Sequence, residues 1–389
     1  MALPFVTIQH LFRGRSMIKT LRTRSRSSRD NARMGSWLCA AVVVGFSLFT
    51  ASVLARTAPD VSQRQGYRYY EVGDMSAPRP AALQPGLMLV GGGEWPYEAF
   101  RWMIGKAGHG RIVILRASGS VEAQDEFFKD IGGITAAQTL VFEDRQAASD
   151  PKVLEIVRQA DGIFIAGGDQ SNYVRYWKGT PLNDALNRHV RDGKPLGGTS
   201  AGLAIMGAFS YGAMDGGSLT SEDALKDPMG PAVTLVDDFL QLPPLPAGQV
   251  ITDSHFGARD RLGRLLTFIA RLSKEQGRAD IKGLGVDENT ALCIDGDGVG
   301  KVFTDTKGAV WLVVPQGLVD LAAKGRDQDY RKLLEGGVRA GQVLDFSGFT
   351  VTGIGSGSRL LLPAFTVENP AFRSEADVVK GRLVVRPLD

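Results

Sequence analysis

Three glycine clusters, each at the end of a predicted strand, constrain the fold of this chain most strongly. They lie at 91–93, 167–168 and 197–198. The runs before the first two clusters, 86–90 and 162–166, are continuously apolar, as parallel strands buried on both faces are. Segments with a helical pattern separate the strands. This alternation predicts an α/β fold with a doubly wound, mostly parallel sheet, and a ligand site at the carboxyl ends of its strands.

The chain after residue 300 has a different pattern. Segments with a strand-like pattern recur at 301–303, 310–314, 343–351 and 382–386. They predict a β-rich C-terminal part. We assign the whole of 86–389 to one domain that ends in this part.

The first 55 residues have the composition of a targeting segment. They carry eight Lys/Arg and one acid, and residues 36–55 are uncharged and largely apolar. The positions at 53 and 55 hold the small residues that suit signal peptidase, so we predict a signal peptide over 1–55 and an exported protein, periplasmic or secreted. The apolar stretch is longer than the roughly 7–15 residues usual in signal peptides, which makes an uncleaved membrane anchor at 36–55 the alternative. Residues 56–85, rich in Pro, Arg and polar residues, are predicted to form a linker or irregular arm.

Charge and cysteine content argue against nucleic-acid binding and against a cysteine-ligated zinc site. The formal net charge is +3, and it becomes −4 once the +7 carried by residues 1–55 is set aside. A mildly acidic globular part argues against a nucleic-acid partner. Of the two cysteines, Cys39 lies in the leader and Cys293 in the domain, so the domain has no internal disulfide and no cysteine spacing of a zinc site.

Residues 198–202 read Gly-Thr-Ser-Ala-Gly and fit the pattern G-x-S-x-G. In this pattern a serine occupies a strained turn between a strand and a helix, and the glycines allow the turn to close. The apolar run at 203–206 is typical of a buried helix whose N-terminal N–H groups would face the serine. We predict that Ser200 is a nucleophile. The alternative is a glycine-rich turn that happens to contain a serine.

A serine nucleophile needs a base, and the chain has four histidines. His10 lies in the leader, and His109 precedes a predicted strand rather than following one. His189 is placed beside two arginines on what we predict to be a solvated helix face. His255 directly follows the predicted strand 249–252 and is therefore the predicted base.

The third member of such a site is a carboxylate that orients the imidazole. Asp287 and Glu288 follow the strand-like segment 283–286 and are the natural candidates. Asp253 stays open as well, because its position two residues before His255 does not define the direction of its side chain.

Three arginines follow the predicted base. Arg259, Arg261 and Arg264 fall near the start of a predicted helix, where the macrodipole disfavours cations. A solvated basic face is one explanation. We favour a second, in which the arginines bind carboxylates of a substrate.

Together, four motifs resemble the cyanophycinase and dipeptidase E family of serine peptidases, in the family's order and over roughly residues 86–360. The motifs are Gly-Gly-Asp-Gln at 167–170, Gly-Thr-Ser-Ala-Gly at 198–202, the run 253–264 with Asp-Ser-His-Phe and its arginines, and Gly-Val-Asp-Glu-Asn-Thr at 285–290. The cyanophycinase branch is the most similar, because of the arginine-rich run.

The resemblance implies a flavodoxin-like sheet, as in class I glutamine amidotransferases, and a Ser200–His255–Glu288 triad with neither metal nor cofactor. The oxyanion hole would use the backbone N–H groups of Gly168 and Ala201. The residues that it places in the substrate pocket are Gln170, Asp253, Arg259, Arg261 and Arg264.

The resemblance also implies a substrate, namely cyanophycin (multi-L-arginyl-poly-L-aspartate) or a related Asp-containing peptide, cut by an exopeptidase to β-Asp-Arg-type dipeptides. One position departs from the family, because Ser254 stands where the family has glutamine. The shorter side chain leaves two alternatives open: an isoaspartyl or aspartyl dipeptidase of the same family, and an esterase or other acyl hydrolase. A non-catalytic binding protein is less consistent with the sequence, since no triad member is missing. A homodimer is compatible with each interpretation.

Overall fold

The computed structural model of the protein describes residues 62–64 and 66–388. The predicted signal peptide or anchor at 1–55 lies outside the described residues. Within them, the helices are all too short or too polar to span a membrane. The strands are β1 Ser62–Arg64, β2 Tyr67–Gly73, β3 Gly86–Val90, β4 Arg111–Arg116, β5 Ala136–Phe142, β6 Gly162–Ile165, β7 Leu196–Thr199, β8 Ser210–Tyr211, β9 Leu235–Val236, β10 Val250–Asp253, β11 Lys282–Val286, β12 Thr290–Asp295, β13 Val299–Thr304, β14 Val310–Val314, β15 Phe346–Ile354, β16 Arg359–Leu361, β17 Thr366–Glu368, β18 Phe372–Val379 and β19 Arg382–Leu388. The α-helices are α1 Tyr97–Lys106, α2 Glu122–Asp125, α3 Pro151–Gln159, α4 Gln170–Trp177, α5 Pro181–Arg191, α6 Ala201–Ala204, α7 Ser221–Lys226, α8 Leu262–Gln276, α9 Gln316–Ala323 and α10 Asp327–Gly337.

A parallel block forms the centre of the larger sheet. Its strands are β5, β4, β6, β7 and β3, in that spatial order. Antiparallel strands extend the sheet at both edges, with β2 beside β5 and β12 beside β3. The predicted α/β fold with a mostly parallel central sheet is confirmed.

Both faces of the parallel block are covered, which explains why its strands are continuously apolar. Along β3, Met88 and Val90 pack with α1 on one face, whereas Leu87 and Leu89 belong to the cluster with α3 and α5 on the other. Successive side chains of a strand point to opposite faces, so a strand between two helical layers needs an apolar residue at every position.

Helices α3 and α5 begin at similar local signals. The side chain of Asp150 accepts a hydrogen bond from the N–H of Lys152 at 2.7 Å, and Thr180 caps α5 in the same way. A proline follows each cap, at a position where a helix needs no N–H donor. Each cap stabilises its helix by about 1 kcal/mol, and both helices bury their apolar stripe on the sheet.

The predicted linker at 56–85 is in part a strand. β2 pairs antiparallel with β5 along its whole length, and Tyr67 and Tyr70 are buried. The prediction is wrong for this segment because polar residues such as Arg68 and Glu71 interrupt the apolar pattern. An antiparallel strand near the edge of a sheet buries one face only, so such residues are compatible with it. The residues between β2 and β3 form neither helix nor strand.

A second sheet contains six of the chain's later strands, in the order β10, β11, β14, β15, β18, β19, while β12, β13, β16 and β17 belong to the larger sheet. β10 and β11 are parallel, and the remaining pairs are antiparallel. The predicted β-rich C-terminal part is confirmed, although α9 and α10 also lie within it. Residues 287–289 join β11 of this sheet to β12 of the central sheet, so they lie where the two sheets meet.

Candidate active site

Ser200 occupies a strained turn between β7 and α6, with φ 53° and ψ −115°. Residues other than glycine seldom adopt this backbone conformation, which costs them about 1–3 kcal/mol. A Cβ on Gly202 would lie 2.1 Å from the carbonyl oxygen of Ile165, so only glycine allows α6 to approach β6 this closely. α6 is a single buried turn of four residues, and it begins two residues before the apolar run 203–206. Its individual N–H groups therefore matter more than a macrodipole.

His255 lies between Ser200 and Glu288. Its Nε2 is 2.7 Å from Oγ of Ser200, and its Nδ1 is 2.5 Å from Oε1 of Glu288. The backbone holds the ring in place, because the N–H of His255 donates to the carbonyl of Gly91 at 2.7 Å. A Cβ on Gly92 would lie 2.3 Å from Cε1 of His255, so the glycine cluster after β3 leaves room for the imidazole.

Of the three acids that the sequence left open, only Glu288 contacts the imidazole. Asp287 points away, and its Oδ1 accepts hydrogen bonds from the N–H of Gly257 at 2.8 Å and from Nε1 of Trp311 at 3.0 Å. Asp287 therefore ties the segment after His255 to the second sheet.

The surroundings of His255 favour its neutral form. Burial lowers the pKa of the imidazole most, while the hydrogen bond to Glu288 raises it and the nearby Arg259 and Arg261 lower it further. The balance is a pKa below the ordinary value of 6.5. A neutral imidazole whose Nδ1–H donates to Glu288 leaves Nε2 able to accept a hydrogen bond from the Ser200 hydroxyl.

The two predicted oxyanion donors line the same cavity as Ser200. Gly168 follows β6, and Ala201 is the first residue of α6. Neither N–H has an acceptor in the described part of the chain. Both are therefore free to donate to a ligand atom placed beside Ser200.

Asp253 and Arg264 do not line the cavity, which corrects the prediction that both bind substrate. Nε and Nη2 of Arg264 donate to the Asp253 carboxylate at 2.8 and 2.5 Å, and their side chains are 1% and 2% exposed. Nη1 of Arg261 donates to the same carboxylate at 3.3 Å and to the carbonyl of Ser254 at 2.6 Å. For Arg261 and Arg264, Asp253 thus supplies the negative charge that the sequence analysis assigns to a substrate carboxylate.

The same buried network holds one wall of the cavity. Nη1 of Arg264 donates to Oγ of Ser218 at 3.1 Å and to the carbonyl of Leu219 at 2.9 Å. Nη2 of Arg261 also reaches Oγ of Ser218, at 3.2 Å. The arginines near the start of α8 therefore position the loop that precedes α7.

The cavity beside Ser200 has a volume of about 350 Å³. Three of the predicted substrate residues, Gln170, Arg259 and Arg261, line it. The remaining residues that line it are Gly168, Asp169, Ser171, Arg175, Ser200, Ala201, Ala213, Gly216, Gly217, Ser218, Ser254 and His255.

Sequence reasoning missed Arg175 in this set. It lies on α4, one turn after Ser171 and five residues after Gln170. Residues four apart share one face of a helix, so the helical pattern after the Gly-Gly-Asp-Gln motif could have indicated it.

A second cavity, of about 400 Å³, adjoins the first. The two share the loop residues 216–218, and the second has Asp215, Asp223 and Asp227 in its wall with Lys226 as its cation. The Ser200 cavity is rich in guanidinium groups, whereas its neighbour is mainly acidic.

A third cavity, of about 430 Å³, lies between α3 and α5 and holds none of the predicted site residues. His189 is in its wall. This histidine is 4% exposed, and its Nε2 lies 3.0 Å from the carbonyl of Pro195, so the predicted solvated position is wrong. Burial lowers the pKa of His189 to about 3.

Comparisons with known proteins identify relatives of the chain. The sequence profile of Peptidase family S51 matches residues 98–302. The cyanophycinase of Trichormus variabilis is 29% identical over 247 residues, which cover 61% of this chain and 76% of that protein. The cyanophycinase of Synechococcus elongatus is 34% identical over 208 residues, which cover 52% of this chain and 58% of that protein. Among solved structures, a peptidase from an acI-B1 actinobacterium is similar with a TM-score of 0.41 and 20% identity, over 59% of this chain and 92% of that one.

The family predicted from the four motifs is therefore confirmed. The profile match spans more than half of the chain. The protein belongs to Peptidase family S51 and is a serine-type peptidase similar to the cyanophycinases.

Proposed function

We propose that this protein is an exported serine exopeptidase that hydrolyses cyanophycin, or a closely related Asp-containing peptide, through Ser200, His255 and Glu288. One observation carries the proposal: Nε2 of His255 lies 2.7 Å from Oγ of Ser200 while its Nδ1 lies 2.5 Å from Glu288. A nucleophile, a base and an orienting carboxylate in this order are the components that acyl transfer requires.

In the proposed acylation step, Oγ of Ser200 attacks the carbonyl carbon of the scissile bond, and Nε2 of His255 takes the hydroxyl proton. Glu288 stabilises the imidazolium that forms. The carbonyl oxygen, which gains negative charge, receives hydrogen bonds from the N–H groups of Gly168 and Ala201. Removing one such donor typically costs about 10²–10³ in kcat.

The tetrahedral intermediate then breaks the carbon–nitrogen bond. Nε2–H of His255 gives its proton to the leaving nitrogen, which departs as an amine, and the acyl group stays on Ser200 as an ester. A water molecule attacks this ester while His255 again acts as base. The products are a free carboxylate and the regenerated Ser200 hydroxyl.

The charges around the site favour a substrate of mixed charge. Arg259 is exposed at the Ser200 cavity, and Arg261 shares the single carboxylate of Asp253 with Arg264. The arginine-lined wall of the Ser200 cavity suits carboxylates of a substrate, while the adjoining acidic cavity suits guanidinium groups. Cyanophycin presents both groups in each repeating unit, which agrees with the cyanophycinases that the chain resembles.

A second candidate function is an aspartyl or isoaspartyl dipeptidase. Ser254 lines the cavity in place of the family's glutamine, and Nη1 of Arg261 lies 3.4 Å from its hydroxyl. A short side chain held in this way leaves more space beside Ser200 and offers the substrate fewer hydrogen bonds. A smaller or differently linked aspartyl substrate is the alternative that this position supports.

The experiment is a substrate comparison with the purified full-length protein. We expect release of β-Asp-Arg dipeptides from cyanophycin, detected by mass spectrometry, and weaker turnover of aspartyl dipeptides, isoaspartyl dipeptides and a neutral ester. The Ser200→Ala variant controls for contaminating peptidases. Faster hydrolysis of the dipeptides would favour the second candidate, and preference for the ester would contradict both.

The proposal includes export of the protein. Its support is the composition of residues 1–55, with eight Lys/Arg and an apolar stretch at 36–55. We expect N-terminal sequencing of the mature protein to begin near Arg56. An intact leader on protein from the membrane fraction would indicate an anchor instead, and an intact leader on cytosolic protein would contradict export.

A further inference from the structure

Arg175 presents a guanidinium to the Ser200 cavity that no carboxylate balances. It is exposed, and it lines the cavity beside Ser171. Its Nη1 donates to Oγ of Ser171 at 2.8 Å, and its Nη2 reaches the carbonyl of Met214 at 3.4 Å. An arginine has five N–H donors, and neither of these acceptors carries charge. Within residues 62–64 and 66–388, Arg175 forms no ion pair.

The two contacts of Arg175 orient it rather than neutralise it. Ser171 is 2% exposed, and its N–H donates to the side chain of Asp169, which caps α4. A fixed serine hydroxyl therefore holds one edge of the guanidinium, and the remaining N–H groups stay available to a ligand. A planar fork held in this way is suited to bidentate binding of a carboxylate.

Arg259 is a second unbalanced guanidinium of the same cavity. Its side chain is exposed and forms neither a hydrogen bond nor an ion pair with the described residues. It follows His255 by four residues, whereas Arg175 lies on the helix that begins directly after Gly168 and Asp169. The two arginines thus belong to different walls, one with the base and the other with a predicted oxyanion donor.

These walls correspond to the two halves of a substrate. In the proposed acylation the leaving nitrogen takes its proton from His255, so the leaving part lies on the side of Arg259. The acyl part remains on Ser200 with its carbonyl oxygen near Gly168, which is the side of Arg175. A substrate with one carboxylate on either side of the scissile bond would neutralise both guanidiniums.

We propose that Arg175 is a specificity-determining residue that binds a carboxylate on the acyl side of the scissile bond, opposite Arg259 on the leaving side. In a chain of β-Asp-Arg units this group is the free α-carboxylate of the arginine in the acyl-side unit. The inference rests on the proposed function, because it assigns a subsite to that reaction. It also gives the charge of Arg175 a partner, since the buried Asp253 pairs with Arg261 and Arg264 instead.

The test uses two linked β-Asp-Arg units as substrate, with the arginine α-carboxylates free or converted singly to carboxamides. For Arg175→Gln we expect kcat/KM on the free-carboxylate substrate to fall about tenfold or more. This fall in kcat/KM should nearly disappear when the acyl-side carboxylate is converted to an amide. It should persist when only the leaving-side carboxylate is converted. Arg175→Lys should recover part of the loss, because it keeps the charge without the planar fork. Arg158→Gln is the matched control, since Arg158 is an exposed helical arginine that does not line this cavity.

A binding measurement separates this inference from the proposed function. Calorimetry compares Ser200→Ala with the double variant Ser200→Ala/Arg175→Gln on the same three ligands, so it needs no turnover. A loss of affinity that depends on the acyl-side carboxylate supports the inference even if the wild-type enzyme fails to cleave these units. An equal loss on all three ligands, an unchanged affinity, or no binding to Ser200→Ala would overturn it, even if the wild-type enzyme cleaves cyanophycin.

Discussion

Asp253 and Arg264 form a two-point ion pair inside the protein, with Nε and Nη2 of the arginine 2.8 and 2.5 Å from the two carboxylate oxygens. Arg261 shares the same carboxylate. Two guanidiniums therefore depend on one acid that lies two residues before His255. The ion pair is buried and does not line the Ser200 cavity. We therefore expect its loss to lower the free energy of unfolding.

For Asp253→Asn, we expect the free energy of unfolding to fall by about 3–5 kcal/mol, because two nearly buried guanidiniums would lose their counter-charge. Arg264→Met should cost less, since Asp253 keeps Arg261 as a partner. Urea unfolding measures both values. The exposed Arg259→Gln variant is the control and should stay within about 0.5 kcal/mol of the wild type. Equal stability of all four proteins would contradict a structural role for Asp253.

Substitutions at Ser200 should separate chemistry from backbone strain. Ser200→Ala and Ser200→Gly both remove the nucleophile, so hydrolysis should be lost in each. The φ of 53° at this residue is strained for alanine but accessible to glycine. We therefore expect the free energy of unfolding of Ser200→Gly to exceed that of Ser200→Ala by about 1 kcal/mol. Urea unfolding measures both values. Residual hydrolysis in both variants would identify a different nucleophile.

The acid limb of the pH–activity profile should report the protonation of His255. Burial, Arg259 and Arg261 lower the pKa of this imidazole, so activity should persist somewhat below the ordinary value of 6.5. Removing the positive charge in Arg259→Gln raises the pKa of His255, and the limb of kcat/KM should then move to higher pH. Arg259→Lys retains the charge and should leave the limb in place. A shift to lower pH in Arg259→Gln would contradict this electrostatic coupling.

His189 should make the fold less stable in acid. Its pKa is about 3 in the folded protein, against an ordinary value of 6.5 in the unfolded chain. Between these values the unfolded state binds a proton that the folded state does not, so the free energy of unfolding falls as pH decreases through this window. His189→Gln removes the titrating group and keeps a side-chain donor for the carbonyl of Pro195. Urea unfolding at a series of pH values should show a flatter dependence for this variant than for the exposed His109→Gln control.

Local sequence patterns were enough to predict several features of the protein. Continuous apolar runs before the glycine clusters predicted the parallel block, because a strand buried on both faces has an apolar residue at every position. The pattern G-x-S-x-G predicted the turn at Ser200, because its glycines occupy places where a Cβ would collide with the backbone. Four motifs in a fixed order predicted the cyanophycinase and dipeptidase E family, which the match to Peptidase family S51 confirms.

Only the tertiary structure decided which side chains meet. Asp253, Asp287 and Glu288 are all carboxylates close to His255 or to a strand end, and the path of the chain between the two sheets turns Glu288 alone toward the imidazole. Arg264 and Arg175 both lie in segments with a helical pattern. In the structure, Arg264 is buried and forms an ion pair with Asp253, whereas Arg175 is exposed and lines the cavity. Direction and burial depend on contacts between segments distant in sequence, and no local pattern contains that information.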